Sequence, residues 1–94
     1  MPAYVIGQIH VRDPAVWQEY VSQVGATIQQ HGGEVQFRGK RSRIFTGDHS
    51  FESVVVIRFA DEAAADRWHA SPEYQRLIPI RKRAADVTLV SYNA

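Results

Sequence analysis

The side-chain period changes at Asp13-Pro14, and the same change from strand to helix recurs further along the chain. Before that point, residues 3–12 (AYVIGQIHVR) are rich in β-branched side chains and read as a strand. After it, Trp17, Tyr20, Val21, Val24 and Ile28 recur at the spacing of one helical face. Asp accepts hydrogen bonds from a helix's free N–H groups and Pro fits the first turn, so a helix is predicted to start there. His31-Gly32-Gly33 closes it, with a His favourable in the last turn and a Gly free to take a left-handed cap. A second strand is predicted through Glu34–Arg38, followed by the basic stretch Gly39–Arg43, Ile44-Phe45 and a turn at Thr46–His49. Ser53–Phe59 (SVVVIRF) is the strongest strand, and its near-continuous branching predicts a central position. Asp61 caps a short helix carrying Ala64, Ala65 and Trp68, and Ser71-Pro72-Glu73 restarts a helix with Tyr74, Leu77, Ile78 and Arg81 on one stripe. Pro79 removes a backbone donor inside that stretch, so a kink or early end is expected there. Asp86–Tyr92 supplies the last strand. The order β-α-β-β-α-β is the split arrangement of ferredoxin-like α+β folds. It predicts a four-stranded antiparallel sheet with both helices on one face and the other face uncovered.

With 94 residues, 45% of them hydrophobic and 22% charged, the chain reads as one globular domain over residues 1–94. Such a domain buries only about 60–65% of its unfolded surface, which leaves a lone monomer marginal. The absence of cysteine excludes disulfides and thiolate chemistry. No apolar run has the length of a membrane span and no signal-peptide pattern is present, so a cytoplasmic location is the default expectation. A net charge of +1 gives no general attraction to nucleic acid.

Alternation sorts the strand residues between the two faces. Val5, Gly7, Ile9, Val11, Val35, Phe37, Val55, Ile57 and Phe59 form an apolar set that belongs under the helices. Tyr4, Ile6, Gln8, His10, Gln36, Arg38, Val54, Val56 and Arg58 form a mixed set on the uncovered face. Either nucleic acid lies across that face, or a second copy of the sheet packs on it. The first needs exposed aromatic stacking platforms on the central strands, which SVVVIRF lacks, and RGKRSR is not the corresponding RNA-binding motif. A homodimer is therefore favoured and nucleic acid disfavoured.

Several stretches carry a family likeness: Ala3-Tyr4-Val5-Ile6, Asp13-Pro14 ahead of a helix with Tyr20, Gly32-Gly33, Arg38-Gly39, Val55–Phe59 and, most specifically, Trp68-His69-Ala70-Ser71-Pro72-Glu73-Tyr74. Over essentially its whole length the chain resembles domain-of-unknown-function family 1330, within the dimeric α/β-barrel superfamily. The resemblance implies a ferredoxin-like protomer whose sheet packs on that of a twin. It implies no single activity, since related families include cofactor-free monooxygenases, isomerases and haem-dependent enzymes. The hairpin before the third strand often carries an acidic residue ahead of its glycine in the family, whereas Thr46 precedes Gly47 here.

On this reading the protein is a small-molecule-binding homodimer, with monooxygenase- or isomerase-like chemistry on a small anionic or aromatic compound and no cofactor. The competing reading is a non-catalytic dimerisation module. Arg38, matching the family's Arg-Gly pair, is a candidate to clamp an anionic group, against an interface salt bridge. His10 is the general-base candidate, against a polar residue at a strand end near solvent. Trp68 and Tyr74 either wall a pocket or pack the core. Tyr20 is core by its stripe, with a hydroxyl that can reach a cavity edge. Arg81, on an apolar stripe, either turns inward to a partner or extends outward. Tyr4 and Arg58 complete the ligand-binding candidates on the uncovered face. Ser71 is a helix cap, Glu73 is explained by the helix dipole, and Lys40, Arg41 and Arg43 read as a solvated basic loop. No two histidines have helical metal-ligand spacing, so no metal is expected.

Overall fold

The first alternating segment forms β1 (Ala3–Val11) in the computed structural model, which describes residues 1–94. Odd-numbered residues from Ala3 to Ile9 are buried on one face, and the even-numbered ones lie half-buried or exposed on the other. Helix α1 (Pro14–Gln30) starts where the Asp13 carboxylate accepts the Val16 N–H at 3.2 Å. Its end is closed by Gly32 at φ +73°, and the Gly33 N–H donates back to the Ile28 carbonyl at 2.9 Å. A methyl group on Gly33 would come within 2.5 Å of the Phe59 ring, so only glycine lets the chain turn this closely against the core.

Strands β2 (Glu34–Lys40), β3 (Ser53–Phe59) and β4 (Ala85–Asn93) complete an antiparallel sheet in the order β2-β3-β1-β4. The branched β3 is an inner strand, as its composition predicts. Helices α2 (Glu62–Ala70), α3 (Pro72–Gln75) and α4 (Ile78–Ala84) form the second connection. Asp61 accepts the Ala64 N–H at 2.8 Å and Ser71 accepts the Tyr74 N–H at 3.2 Å, so both predicted caps form. Pro79 departs from the expected kink: it occupies the first turn of α4, where its missing N–H forfeits no helical bond. The helical break falls just before it, at Arg76 and Leu77. Arg12 ties the end of α4 to β1, donating to the carbonyls of Lys82, Arg83 and Ala85 while pairing with Asp86 at 3.2 Å.

The core lies between helices and sheet, with Trp68, Tyr74, Phe59 and Ile28 its largest fully buried side chains. Burying such a side chain stabilises by about 1.5–3 kcal/mol. Aromatic rings run through it from α1 to β3: Trp17 stacks on Tyr20 at 5.0 Å, Tyr20 meets Tyr74 edge-on at 6.4 Å, Tyr74 meets Trp68 at 4.3 Å, and Trp68 meets Phe59 at 5.5 Å.

Strand β2 breaks the alternation. Val35 pairs with Ile57 but Phe37 pairs with Val56, so Gln36 is an extra residue in a β-bulge. Beyond it the two faces exchange. Phe37, expected under the helices, stands 55% exposed on the uncovered face, and Arg38 pairs with the core residue Val55. The placement of Arg38 on the uncovered face is thereby corrected: it points to the helix side.

Candidate functional site

Gly7 lets its neighbours close over the sheet surface beneath the helices. A methyl group there would meet Val55 at 2.8 Å and Leu89 at 3.1 Å, its two cross-strand neighbours. Both neighbours line a small interior cavity of about 20 Å³, room for about one water. Ile9, Val24, Ile28, Ile57 and Val87 supply other apolar walls, Trp17, Tyr20 and Trp68 the aromatic ones. Arg38 is the single charged residue on its lining. Ile9, Trp17 and Arg38 also line an open groove of about 320 Å³ with Gly39, Lys40, Ser53 and Val54, which makes Trp17 and Arg38 the gateposts between groove and interior. No carboxylate lines either space, while Arg38 and Lys40 bring two positive charges. Arg38 takes part in none of the three salt bridges of the chain. An unpaired guanidinium with an apolar wall behind it favours an anion.

Behind Tyr20 lies a buried polar cluster. Tyr20 and Tyr74 hydroxyls are 3.0 Å apart, and Arg81 donates to the Tyr74 hydroxyl at 2.7 Å. Arg81 thus turns inward. Burial, and then the neighbouring Tyr74, push the Tyr20 phenol well above its usual range, while the charges of Arg81 and Arg38 act in the opposite direction. Tyr20 is held as a neutral phenol. Trp68 is 1% exposed and donates its indole N–H to the Thr27 hydroxyl at 3.1 Å, so its polar edge is satisfied in the core while its ring backs the cavity.

The candidates therefore divide into two groups. Tyr20, Arg38, Trp68, Tyr74 and Arg81 gather on the helix side, around or directly behind the cavity. Tyr4, His10 and Arg58 stand on the uncovered face, where Arg58, Tyr4 and Tyr92 are cross-strand partners. His10 is exposed and its Nδ1 lies 3.0 Å from the Glu52 carboxylate, whose other oxygen accepts the Val11 N–H at 3.1 Å. This contact holds Glu52 below the usual carboxylate range. Of the cavity lining, the sequence singles out Tyr20, Arg38 and Trp68 as site candidates and the other residues as strand or helix-stripe positions. Trp17 was legible only as part of a helical stripe. Leu89 was legible only as a strand residue.

Residues 2–93 match the profile of the family described as Domain of unknown function (DUF1330). The chain belongs to this family. Among solved structures, the DUF1330 chain is similar to the RPA0582 protein of unknown function from Rhodopseudomonas palustris, with 19% identity, TM-score 0.83 and coverage of 99% of this chain and 82% of that one. A dimeric ferredoxin-like protein of unknown function from Jannaschia sp. CCS1 matches with 13% identity, TM-score 0.78 and complete coverage, 100% of both chains. SnoaB, a cofactor-independent oxygenase from Streptomyces nogalater, matches with 14% identity, TM-score 0.73 and coverage of 99% of this chain and 92% of that one. At these identities the likeness is one of fold: the DUF1330 chain is ferredoxin-like. No curated protein is detectably similar to it in sequence.

Proposed function

We propose that this DUF1330 protein is a homodimer, formed through the uncovered sheet face, that binds a small anionic or aromatic molecule in the helix-side groove of each protomer, where it opens into the interior cavity. The observation that carries the reading is Arg38 standing unpaired at the gate of a cavity and groove without a carboxylate. Arg38 holds the anionic group at the gate, and the body of the ligand lies in the groove against Trp17. Phe37, Val56, Ile6 and Val90 form one apolar row across all four strands, and this row supports the dimer. The chemistry we carry over from the fold is that of a cofactor-independent enzyme, the description SnoaB bears. His10 is the proposed acid-base group only if the partner protomer brings a substrate to the uncovered face, because its own cavity lies on the opposite side of the sheet.

A second reading, a non-catalytic dimerisation module, is favoured by the small interior volume of about 20 Å³. Native mass spectrometry of the freshly purified protein separates the two. The small-molecule reading expects a dimer that retains an added mass or gains one on exposure to small carboxylates, and an Arg38→Ala dimer that does neither while melting within about 2 °C of the parent, since no structural partner is lost. A dimer that takes up no ligand supports the assembly module. A monomer overturns both.

A further inference from the structure

The hydrogen bonds among Arg81, Tyr74 and Tyr20 run in one direction, and chemistry fixes which. A guanidinium has donors and no acceptor, so the Tyr74 oxygen must receive the 2.7 Å bond from Arg81. Tyr74 is fully buried, and its only other hydrogen-bond neighbour is the Tyr20 hydroxyl at 3.0 Å. One of the two phenolic hydrogens satisfies that contact and the other is left over. If Tyr20 donated to Tyr74, the spare hydrogen would sit on a residue closed off on every side, which is the costly arrangement. If Tyr74 donates to Tyr20, the spare hydrogen sits on the residue that lines the cavity. Tyr20 is itself only 6% exposed, and its hydroxyl has no second protein partner.

We propose that Arg81 and Tyr74 orient Tyr20 as a fixed hydrogen-bond donor in the cavity, so that Tyr20 and Arg38 together select a ligand presenting a carboxylate or enolate oxygen. This rests on the reading of the cavity as a small-molecule site and adds the polarity of what it accepts. The ligand's oxygen enters the interior past Trp17, and its body lies in the groove beside Lys40. An ammonium ligand would face two cations and no carboxylate. Because burial keeps the phenol protonated, the donor polarity persists through the physiological pH range. Tyr74 and Arg81 are positioning residues here, since neither lines the cavity.

Three phenyl probes of similar shape, benzoate, benzylamine and toluene, test this when titrated against the dimer with the Trp17 indole NMR signal as readout. Benzoate is expected to bind at least about tenfold more tightly than either of the others, the size of a hydrogen bond to a charged group. Tyr20→Phe should reduce that preference by about threefold to fivefold, leaving the part that Arg38 supplies, with toluene binding unchanged. Tyr74→Phe should reduce the benzoate-to-toluene ratio by about threefold to fivefold, through lost orientation rather than lost contact. A merely structural role would weaken both probes alike. A Tyr20→Phe variant that keeps the full benzoate preference overturns the donor assignment and leaves the Arg38 reading standing, whereas equal binding of benzoate and benzylamine overturns both. If no probe moves the Trp17 signal, both fall together.

Discussion

Glu52 and Trp68 illustrate how differently two side chains contribute. The Glu52 carboxylate bridges the end of β1 to the residue before β3 through His10 and the Val11 N–H, and it remains near solvent. Its acidity is increased in the fold, so its contribution to stability is fully present above the ordinary Glu value of 4.5 and is lost as pH falls through the lower folded value. Thermal melts of the parent and of Glu52→Gln should therefore differ at neutral pH and converge as the solution is acidified below that ordinary value. A difference independent of pH would mean that the carboxylate charge contributes nothing. Trp68, by contrast, acts through packing. It touches Tyr74, Phe59 and His69, and its indole N–H closes on Thr27. Trp68→Ala should cost about 3–5 kcal/mol in a urea titration, while the Thr27 hydroxyl loses the indole donor and keeps its own bond to the Val24 carbonyl.

At the scale of the element, β2 decides the site. A regular strand would turn Phe37 inward and Arg38 out, and the gate of the cavity would then carry an apolar ring instead of a cation. The extra residue, Gln36, restores Arg38 to the helix side opposite Val55. Deleting Gln36 is expected to leave that pairing in place, because Val35 opposite Ile57 and Phe37 opposite Val56 already alternate without it. Contacts between the Val55 methyls and Arg38 by NMR would check this. Their loss on deletion would show that β2 shifts its register against β3 once the extra residue is gone. Conversely, the α3–α4 junction owes its place to short-range rules. Ser71 caps one helix and Pro79 opens the next, so the break between them follows from residue chemistry.

The whole molecule has one covered sheet face and one uncovered. No helix is long and apolar enough to cross a membrane. On the uncovered side the row Phe37, Val56, Ile6 and Val90 is flanked by Arg58, Tyr4 and Tyr92, with Phe37 and Tyr92 more than half exposed at 55% and 54%. An apolar row with a polar border suits a partner surface. Val56→Glu sets a charge in the middle of that row without touching the core. It should shift the sedimentation equilibrium toward monomer, weakening association at least about a hundredfold through burial of an unpaired charge. Unchanged sedimentation would mean that the proposed dimer does not form through this face.

Caps, stripes and the branched third strand were legible because each depends on neighbours within a few residues. Asp13-Pro14, Asp61, Ser71-Pro72 and the buried face of β1 stand where local rules predict. Parity along β2 was not, since alternation assumes an unbroken ladder and Gln36 carries no local mark of a bulge, unlike a glycine. Arg81 was visibly out of place on an apolar stripe, yet its partner could not be named. Tyr20 and Tyr74 stand 54 residues apart and meet only because α1 and the second helical connection cover the same sheet face. The sequence by itself determined the order of elements and, outside β2, which sheet and helix faces are buried, because period and capping are short-range. Only the tertiary structure decided that Arg38 faces the cavity and that Arg81, Tyr74 and Tyr20 form one chain of hydrogen bonds, because both depend on register and packing between distant segments.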